Sequence, residues 1–393
     1  MNYVDDIVYN DYEKLTNKNY ELKKELKVRI IENGYILPVK KYYNPYKSLC
    51  GTGGILNEKM EYVEESAMLG YNMQNRLYGG YKISNTVEYI NEEVIYINHF
   101  IHQWGHFLID VINRLWYILD KNIGKLKFAY IVRENDNDEI TGNYLELLNL
   151  LGIKKENLIR INRPTRVKKI IIPEASIYPG KYYTQGYKLI FDKIVENINI
   201  DENEKNKRKI YCSRKNYKKA FTKEIGEEKI ERIFNDNEFD SVYFEQLSVI
   251  EQIKLINASK VIVAVSGTLP HNLVFARNNP HVIILNKTYK LNLHQFLINQ
   301  LSNINVDFVD INVSPMPVEY GIGPFIIKIT DHLLKFCEDN KYICNYQSNI
   351  KLSIKEKFWF YINYFVKNKF KIVKDKNISF KEIRNYYKKR SLY

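Results

Sequence analysis

Cysteine is scarce in this chain of 393 residues, which has only four. They are too few and too scattered for the disulfide framework that small secreted domains need. Cys337 and Cys344 are separated by six residues, which does not match the spacing of a zinc knuckle. We therefore expect free thiols in a reducing compartment.

Long apolar runs are also lacking, because none approaches the ~20 residues that a membrane-spanning helix needs. The opening residues MNYVDDIVYNDYEKL are acidic and polar, unlike a secretory signal. These absences predict a soluble, cytosolic protein. The apolar content of 45% is typical of an ordered globular chain, and the length favours two domains.

Positive charge is distributed unevenly. The chain carries a net charge of +13, and residues 351–393 account for +10 of it. The nearly neutral remainder argues against a nucleic-acid-binding core. Within the basic tail, one helical face carries Ile354, Phe358, Tyr361, Ile362 and Phe365. Such a helix suits an anionic membrane surface, and packing against the rest of the protein is the alternative.

Strands and helices are predicted to alternate from Val94 onward. Short β-branched segments such as VIYI and FAYIV are separated by stretches with helical apolar spacing, such as HFLIDVINRLWYILD. The charged run DENEKNK is the best linker, and a second alternating series follows it. This pattern predicts an α/β fold of two tandem Rossmann-like domains, 1–200 and 207–330, facing a cleft. A helical tail over 331–393 would complete the chain.

Histidine is rare as well, yet three of the seven lie in the segment NHFIHQWGHFLIDVINRL. Metal-binding histidines on helices often have a second ligand four residues away, and His106 and Asp110 have this spacing. Gly105, however, is a poor residue for a helix interior. We therefore expect a helix that begins near residue 104, with His99 and His102 in the loop before it, and no metal site.

His106, Asp110 and Arg114 would then lie on successive turns of one helix. A histidine at a helix start faces the positive end of the helix dipole, which favours its neutral form and a role as a base. Asp110 could orient the ring, and Arg114 could pair with Asp110; which of His106 and Asp110 is the base stays open. Alternatively, these polar residues only satisfy one another.

Two later segments place polar residues at the carboxyl ends of predicted strands. KIYCSRKN ends in Ser213, Arg214 and Lys215, a position where α/β domains bind phosphates. Arginine and lysine together suit a diphosphate, although a basic pair at this place can also be plain solvated surface.

The second of these segments is VIVAVSGTLPHNLVFA. Ser266, Gly267 and Thr268 form a predicted turn whose N–H groups can hold an anion, and His271 and Asn272 follow at a helix start.

Glu251 has two interpretations. In the sequence SVIEQ it stands three residues after Ser248, which is the spacing of a capping box. It could instead hold the ribose of a nucleotide.

Taken in order, these segments resemble glycosyltransferase family 61. The family carries a helix of the type H-W-(L/F)-x-D-x-x-x-R-L, then a strand ending in S-R, a segment E-x-L-S-x-x-E-Q, and a glycine turn followed by N-x-x-F. The matching residues are His106, Asp110, Arg114, Leu115, Ser213, Arg214, Glu245, Leu247, Ser248, Glu251, Gln252, Gly267, Asn272 and Phe275. Many members read H-G-A-G-L in the turn, whereas this chain has SGTLPHN, with Ser266 in place of the histidine. The donor pocket is therefore expected to differ.

The resemblance implies a two-domain transferase of the glycosyltransferase B type that inverts the anomeric configuration without a metal. The acceptor would bind the N-terminal domain, the nucleotide-sugar donor the C-terminal one, and the tail would cross back over the N-terminal domain. We expect a donor such as a UDP-sugar, no other cofactor, and a glycan or lipid-linked glycan acceptor in bacterial surface-polysaccharide synthesis, at the inner face of the cell membrane. The alternatives are a non-catalytic glycan- or nucleotide-binding protein on a degenerate transferase fold, and a metal-dependent hydrolase.

Overall fold

The computed structural model describes residues 2–42, 45–70, 75–83, 87–217, 224–316, 318 and 323–372. Its strands are β1 Asn2–Tyr3, β2 Val28–Lys40, β3 Thr52–Leu56, β4 Glu88–His99, β5 Lys127–Ile131, β6 Leu158–Ile161, β7 Thr165–Pro173, β8 Ile177–Tyr178, β9 Tyr182–Tyr183, β10 Arg208–Cys212, β11 Glu224–Ile225, β12 Asp240–Val242, β13 Ser259–Val265, β14 His281–Asn286, β15 Asn305–Asp310 and β16 Phe325–Ile326. Its α-helices are α1 Asp6–Thr16, α2 Trp104–His106, α3 Asn143–Asn149, α4 Gln185–Glu196, α5 Glu227–Asn235, α6 Val249–Ala258, α7 Leu293–Leu301, α8 Asp331–Asp339 and α9 Ile354–Ile372. The α/β class is confirmed.

The first large sheet has the order β3-β2-β7-β4-β5-β6. Strands β7, β4, β5 and β6 run parallel, whereas β2 is antiparallel to both of its neighbours. Val39 at the end of β2 also bridges to Arg133 just after β5, although β7 and β4 lie between these strands in the sheet order. The sheet therefore curls toward itself and is mixed, unlike the parallel Rossmann sheet predicted for this half.

The second large sheet is entirely parallel, with the order β1-β15-β14-β13-β10-β12. The chain leaves β10 for β12 on one side and returns to β13 on the other. The carboxyl ends of β10 and β13 therefore flank the point where the strand order reverses, which is where open α/β sheets bind ligands.

The amino terminus belongs to the second sheet. The predicted domain boundary of 1–200 would instead place it with the first sheet. Strand β1 pairs with β15. Helix α1 follows, and its Tyr12 ring lies 5.6 Å from the ring of Phe296 and 4.8 Å from that of Phe308. The prediction followed chain order, whereas these contacts join residues about 300 positions apart.

The two halves pack directly on one another. A single cluster of buried apolar side chains includes residues of both sheets and of the helices between them. The ring of Phe191 on α4 lies 5.5 Å from that of Phe275, and Asp192 pairs with Arg277 at 2.8 Å. The position of each half is thus fixed by an apolar interface.

The described part of the tail packs on the second half and not on the N-terminal domain, where the tail was predicted to cross. Phe360 of α9 is fully buried in a small cluster with Phe325 of β16. Lys328 and Glu356 form an ion pair at 2.9 Å beside this contact. The remainder of the tail, 373–393, lies outside the described residues. Within the described ranges, no helix combines the length and apolarity needed to cross a membrane.

Candidate active site

The first half of the site lies at the carboxyl end of β4, where the chain turns into α2. Helix α2 begins at residue 104, as predicted, although His99 is still part of the strand. Nδ1 of His106 lies 3.1 Å from Oδ2 of Asp110. The Asp110 side chain is 3% exposed and that of His106 is 24% exposed. The predicted pair is therefore formed, with the histidine ring partly exposed to solvent and the carboxylate buried beneath it.

Arg76 is a third member of this group that the sequence did not indicate. Its Nη1 lies 2.8 Å from Nδ1 of His106, and its Nη2 lies 3.1 Å from Nε2. Its Nε lies 3.9 Å from Oδ2 of Asp110. Arg76 belongs to an irregular segment without periodicity, so only the tertiary structure brings it to the histidine.

Arg114 does not pair with Asp110, so this part of the prediction is wrong. The helical path continues after α2 as a π-helical stretch, Phe107–Val111, and a 3-10 stretch, Ile112–Ile118. Spacing of four residues stacks side chains only on a regular α-helix, so Arg114 is turned away. It is 1% exposed and donates to the backbone carbonyls of Glu65, Ala67 and Pro173. Arg114 therefore fixes the backbone and is not part of the reactive group.

The second half of the site lies at the carboxyl edge of the parallel sheet. Arg214, which follows β10, donates through Nε to Glu224 at 2.9 Å. Lys287, which follows β14, pairs with the same carboxylate at 2.5 Å and is 3% exposed. Burial alone would raise the pKa of Glu224, but the charges of Lys287 and Arg214 outweigh it and hold that pKa below its usual value. Two cations are thus aligned by one buried carboxylate.

The glycine turn lies next to Lys287. Gly267 has a φ of 152°, in the region that favours glycine, and a Cβ built on it would lie 3.4 Å from Nζ of Lys287. Oγ of Ser266 accepts the backbone N–H of Lys287 at 3.1 Å. Ser213 is buried, and its Oγ accepts the N–H of Lys215 at 3.3 Å. Predicted phosphate-binding residues and Lys287, which the prediction missed, therefore meet at one edge.

Three residues predicted to bind the donor have other positions. The side chain of Lys215 is exposed. Glu251 forms the capping box with Ser248, and its carboxylate accepts the Ser248 N–H at 2.8 Å. Asn272 is buried between Trp104, whose Nε1 donates to it, and Gln252, which accepts its amide N–H at 2.9 Å. The capping interpretation of Glu251 is the one that the structure supports.

The two halves of the site meet at Gly105. A Cβ built on Gly105 would lie 3.0 Å from Cγ2 of Thr268 and 3.1 Å from Nδ1 of His271. A side chain at this position would therefore be tight against the side chains of Thr268 and His271. Burial, and secondarily the charge of His106, lowers the pKa of His271 to about 4. His106 is therefore one residue away from the contact that joins it to the glycine turn.

A metal-binding arrangement of three or more His, Cys, Asp or Glu side chains does not occur in the part of the chain that the structure describes.

Comparison with known families covers both halves of this site. Residues 104–283 match the family model described as Glycosyltransferase 61. The matched stretch begins at the first residue of α2 and ends within β14. No curated protein matches the chain.

Arg114→Met should lower the free energy of unfolding by about 3 kcal/mol or more, because it leaves three backbone carbonyls without their buried donor, at about 1–3 kcal/mol each. Urea denaturation followed by circular dichroism measures this loss. Arg133→Met is the matched control, since the Arg133 side chain is exposed and its loss should change stability by less than about 0.5 kcal/mol. Equal stabilities for both variants would contradict the structural role of Arg114.

Proposed function

We propose that this glycosyltransferase, whose residues 104–283 match the family 61 model, transfers a sugar from a nucleotide-sugar to a glycan acceptor with inversion at the anomeric carbon. The first half would bind the acceptor and the second half the donor, as in the glycosyltransferase B type. The resemblance further suggests a glycan or lipid-linked glycan of bacterial surface polysaccharide as the acceptor, with UDP-sugars as the first donors to test.

The contact at Gly105 is the observation that carries this proposal. It brings a histidine–carboxylate pair within one residue of the glycine turn that lies next to Lys287, whose partner Glu224 also holds Arg214. Inversion by direct displacement needs one base near the acceptor hydroxyl and positive charge near the leaving diphosphate. Both requirements are met on the two sides of the same contact.

The difference in solvent exposure between His106 and Asp110 supports one assignment of the base and its partner. The His106 ring is partly open to solvent, whereas Asp110 is almost fully covered. We therefore propose that His106 is the base and that Asp110 orients it through Nδ1, since a neutral ring that donates from Nδ1 keeps its lone pair on Nε2. In this structure Nη2 of Arg76 lies 3.1 Å from Nε2, so the acceptor hydroxyl would have to replace the guanidinium at this atom. Asp110 then also stabilises the imidazolium that forms when the ring takes a proton.

The proposed reaction is a single displacement. Nε2 of His106 takes the proton of the acceptor hydroxyl while that oxygen forms a bond to the anomeric carbon. The bond between this carbon and the diphosphate oxygen breaks, and the nucleoside diphosphate leaves with the electron pair. Arg214, Lys287 and the N–H groups around Gly267 would stabilise its negative charge, so the proposed reaction requires no divalent cation.

His106→Ala and Asp110→Asn should each reduce sugar transfer by about 10²- to 10⁴-fold, the usual contribution of a general base. Initial rates are measured with a panel of UDP-, GDP-, CMP- and dTDP-sugars, including slow transfer to water. His102→Ala is the control, because His102 lies exposed in the loop before α2. If both variants retained full activity with an unchanged fold, the pair would not be the catalytic group.

Lys287→Met should weaken the binding of UDP about tenfold or more, because a hydrogen bond to a charged group contributes about 1.5–3 kcal/mol. Isothermal titration calorimetry with UDP gives the affinity directly. Lys260→Met removes an exposed lysine at the opposite end of the sheet and should leave the affinity unchanged. Identical dissociation constants for Lys287→Met and the wild type would place the diphosphate elsewhere.

We also propose that α9 attaches the enzyme to an anionic membrane surface. Its Phe360 face packs on the protein, while the opposite side exposes Ile354, Phe358, Tyr361, Ile362, Phe365 and Val366. Phe358 is 67% exposed and Val366 is 70% exposed, and large exposed apolar patches mark interaction surfaces. Because residues 351–393 carry +10, an anionic bilayer is complementary in charge. The proposed peripheral position would suit a lipid-linked acceptor.

Replacement of Phe358 and Phe365 by Ser should lower partitioning onto vesicles by about 100-fold or more, since each buried Phe contributes about 1.5–3 kcal/mol. Flotation with phosphatidylglycerol-containing vesicles measures binding, and phosphatidylcholine vesicles test the need for anionic lipid. Tyr89→Ser, a change at an exposed aromatic of the first sheet, is the control. Absence of vesicle binding by the wild type, or self-association through α9 in light scattering, would overturn the membrane proposal.

A further inference from the structure

Asp110 is a buried carboxylate that requires a compensating positive charge. A carboxylate removed from water is unstable unless it is paired and hydrogen-bonded. Two groups lie close enough to Oδ2 to provide the charge: Nε of Arg76 at 3.9 Å, and Nδ1 of His106 at 3.1 Å if the ring is protonated. These two possibilities have opposite consequences for the proposed base, because a protonated ring has no lone pair left.

We propose that Arg76 is a positioning residue that balances the charge of Asp110 and so keeps His106 neutral and able to accept a proton. This inference rests on the proposed function, in which His106 is the base. The guanidinium contacts both ring nitrogens, at 2.8 and 3.1 Å. An imidazolium would bring two cations into direct contact there.

Three other titratable groups lie near this pair. Cys50 contacts Arg76, and burial raises the pKa of its thiol, so Cys50 is uncharged. His99 at the end of β4 has its pKa lowered to about 3 by burial and by Arg133 and Arg76. His271, across the interface, has its pKa lowered to about 4. Both are neutral at physiological pH, and the other group of the opposite turn close to Gly105 is the uncharged Thr268. Arg76 and Asp110 therefore set the charge around the ring.

The backbone of Arg76 is held in place by hydrogen bonds to neighbouring segments. The N–H of Arg76 donates to the carbonyl of Met68 at 2.8 Å, and the N–H of Cys50 donates to the carbonyl of Arg76 at 2.6 Å. Arg114 binds the carbonyls of Glu65 and Ala67, just before Met68. Arg114 therefore supports the segment that presents Arg76, although it contacts neither His106 nor Asp110.

The pH dependence of sugar transfer tests the inference. In Arg76→Gln the ring keeps its anionic neighbour and loses its cationic one, so His106 should charge at higher pH. The acid limb of the rate profile should then move up by about one to two pH units, with activity partly regained at high pH. Arg76→Lys keeps the positive charge but lacks the forked guanidinium, and its rate profile should be close to that of the wild type. Arg133→Gln, which removes an exposed arginine at the same sheet edge, should not move the limb.

A second measurement needs no substrate. Nitrogen-15 NMR of labelled histidine rings reports the fraction of charged His106 at pH 7, which should be larger in Arg76→Gln than in the wild type. A uniform loss of rate at every pH, with an unchanged charge on His106, would overturn the inference and leave Arg76 a structural residue. If the wild type transferred no sugar at all, the proposed function would fail, and the NMR result would still decide whether Arg76 controls the ring.

Discussion

The close approach of Gly105 to Thr268 and His271 is the constraint on which the site depends. A Cβ on Gly105 would lie only 3.0 Å from Cγ2 of Thr268 and 3.1 Å from Nδ1 of His271, so even an alanine would be tight there. The adjacent Trp104 donates to Asn272, and Asn272 donates to Gln252, so hydrogen bonds continue the contact into the second half. His106, one residue after Gly105, and Lys287, next to Gly267, therefore keep a fixed relation, because the backbone between them is packed and not merely tethered.

Each half of the site contains a buried carboxylate that lies next to basic side chains. In the first, the buried carboxylate of Asp110 lies beside Arg76 and His106; in the second, that of Glu224 lies between Arg214 and Lys287. A buried carboxylate holds its cationic partners in defined directions, which lowers the reorganisation needed when charge develops in a reaction. The second half retains one positive charge in excess, as a diphosphate site requires.

The sequence predicted those features that local pattern determines. The alternation of strands and helices indicated the α/β class, and the position of Gly105 indicated where α2 begins. Arg76 and Lys287 escaped prediction because their partners lie 30 or more residues away and no periodicity marks them. The spacing of Asp110 and Arg114 was misleading for a physical reason: the chain changes from a π-helical to a 3-10 stretch between them, which shifts the side chains out of line. The predicted boundary of 1–200 placed β1 in the wrong half, because strand pairing between distant parts of a chain leaves no local signal.

Arg114 shows how a residue can belong to a motif without taking part in chemistry. Its guanidinium is buried beneath the site and bound to three backbone carbonyls, one at the end of β7 and two in the segment before Arg76. A lysine could not span these acceptors, because its single ammonium is a point donor and the guanidinium is a rigid fork. Burial lowers the pKa of Arg114, yet an arginine remains charged under such conditions. The fixed charge and geometry of this one side chain therefore join the helix that carries the base to the irregular segment that carries Arg76.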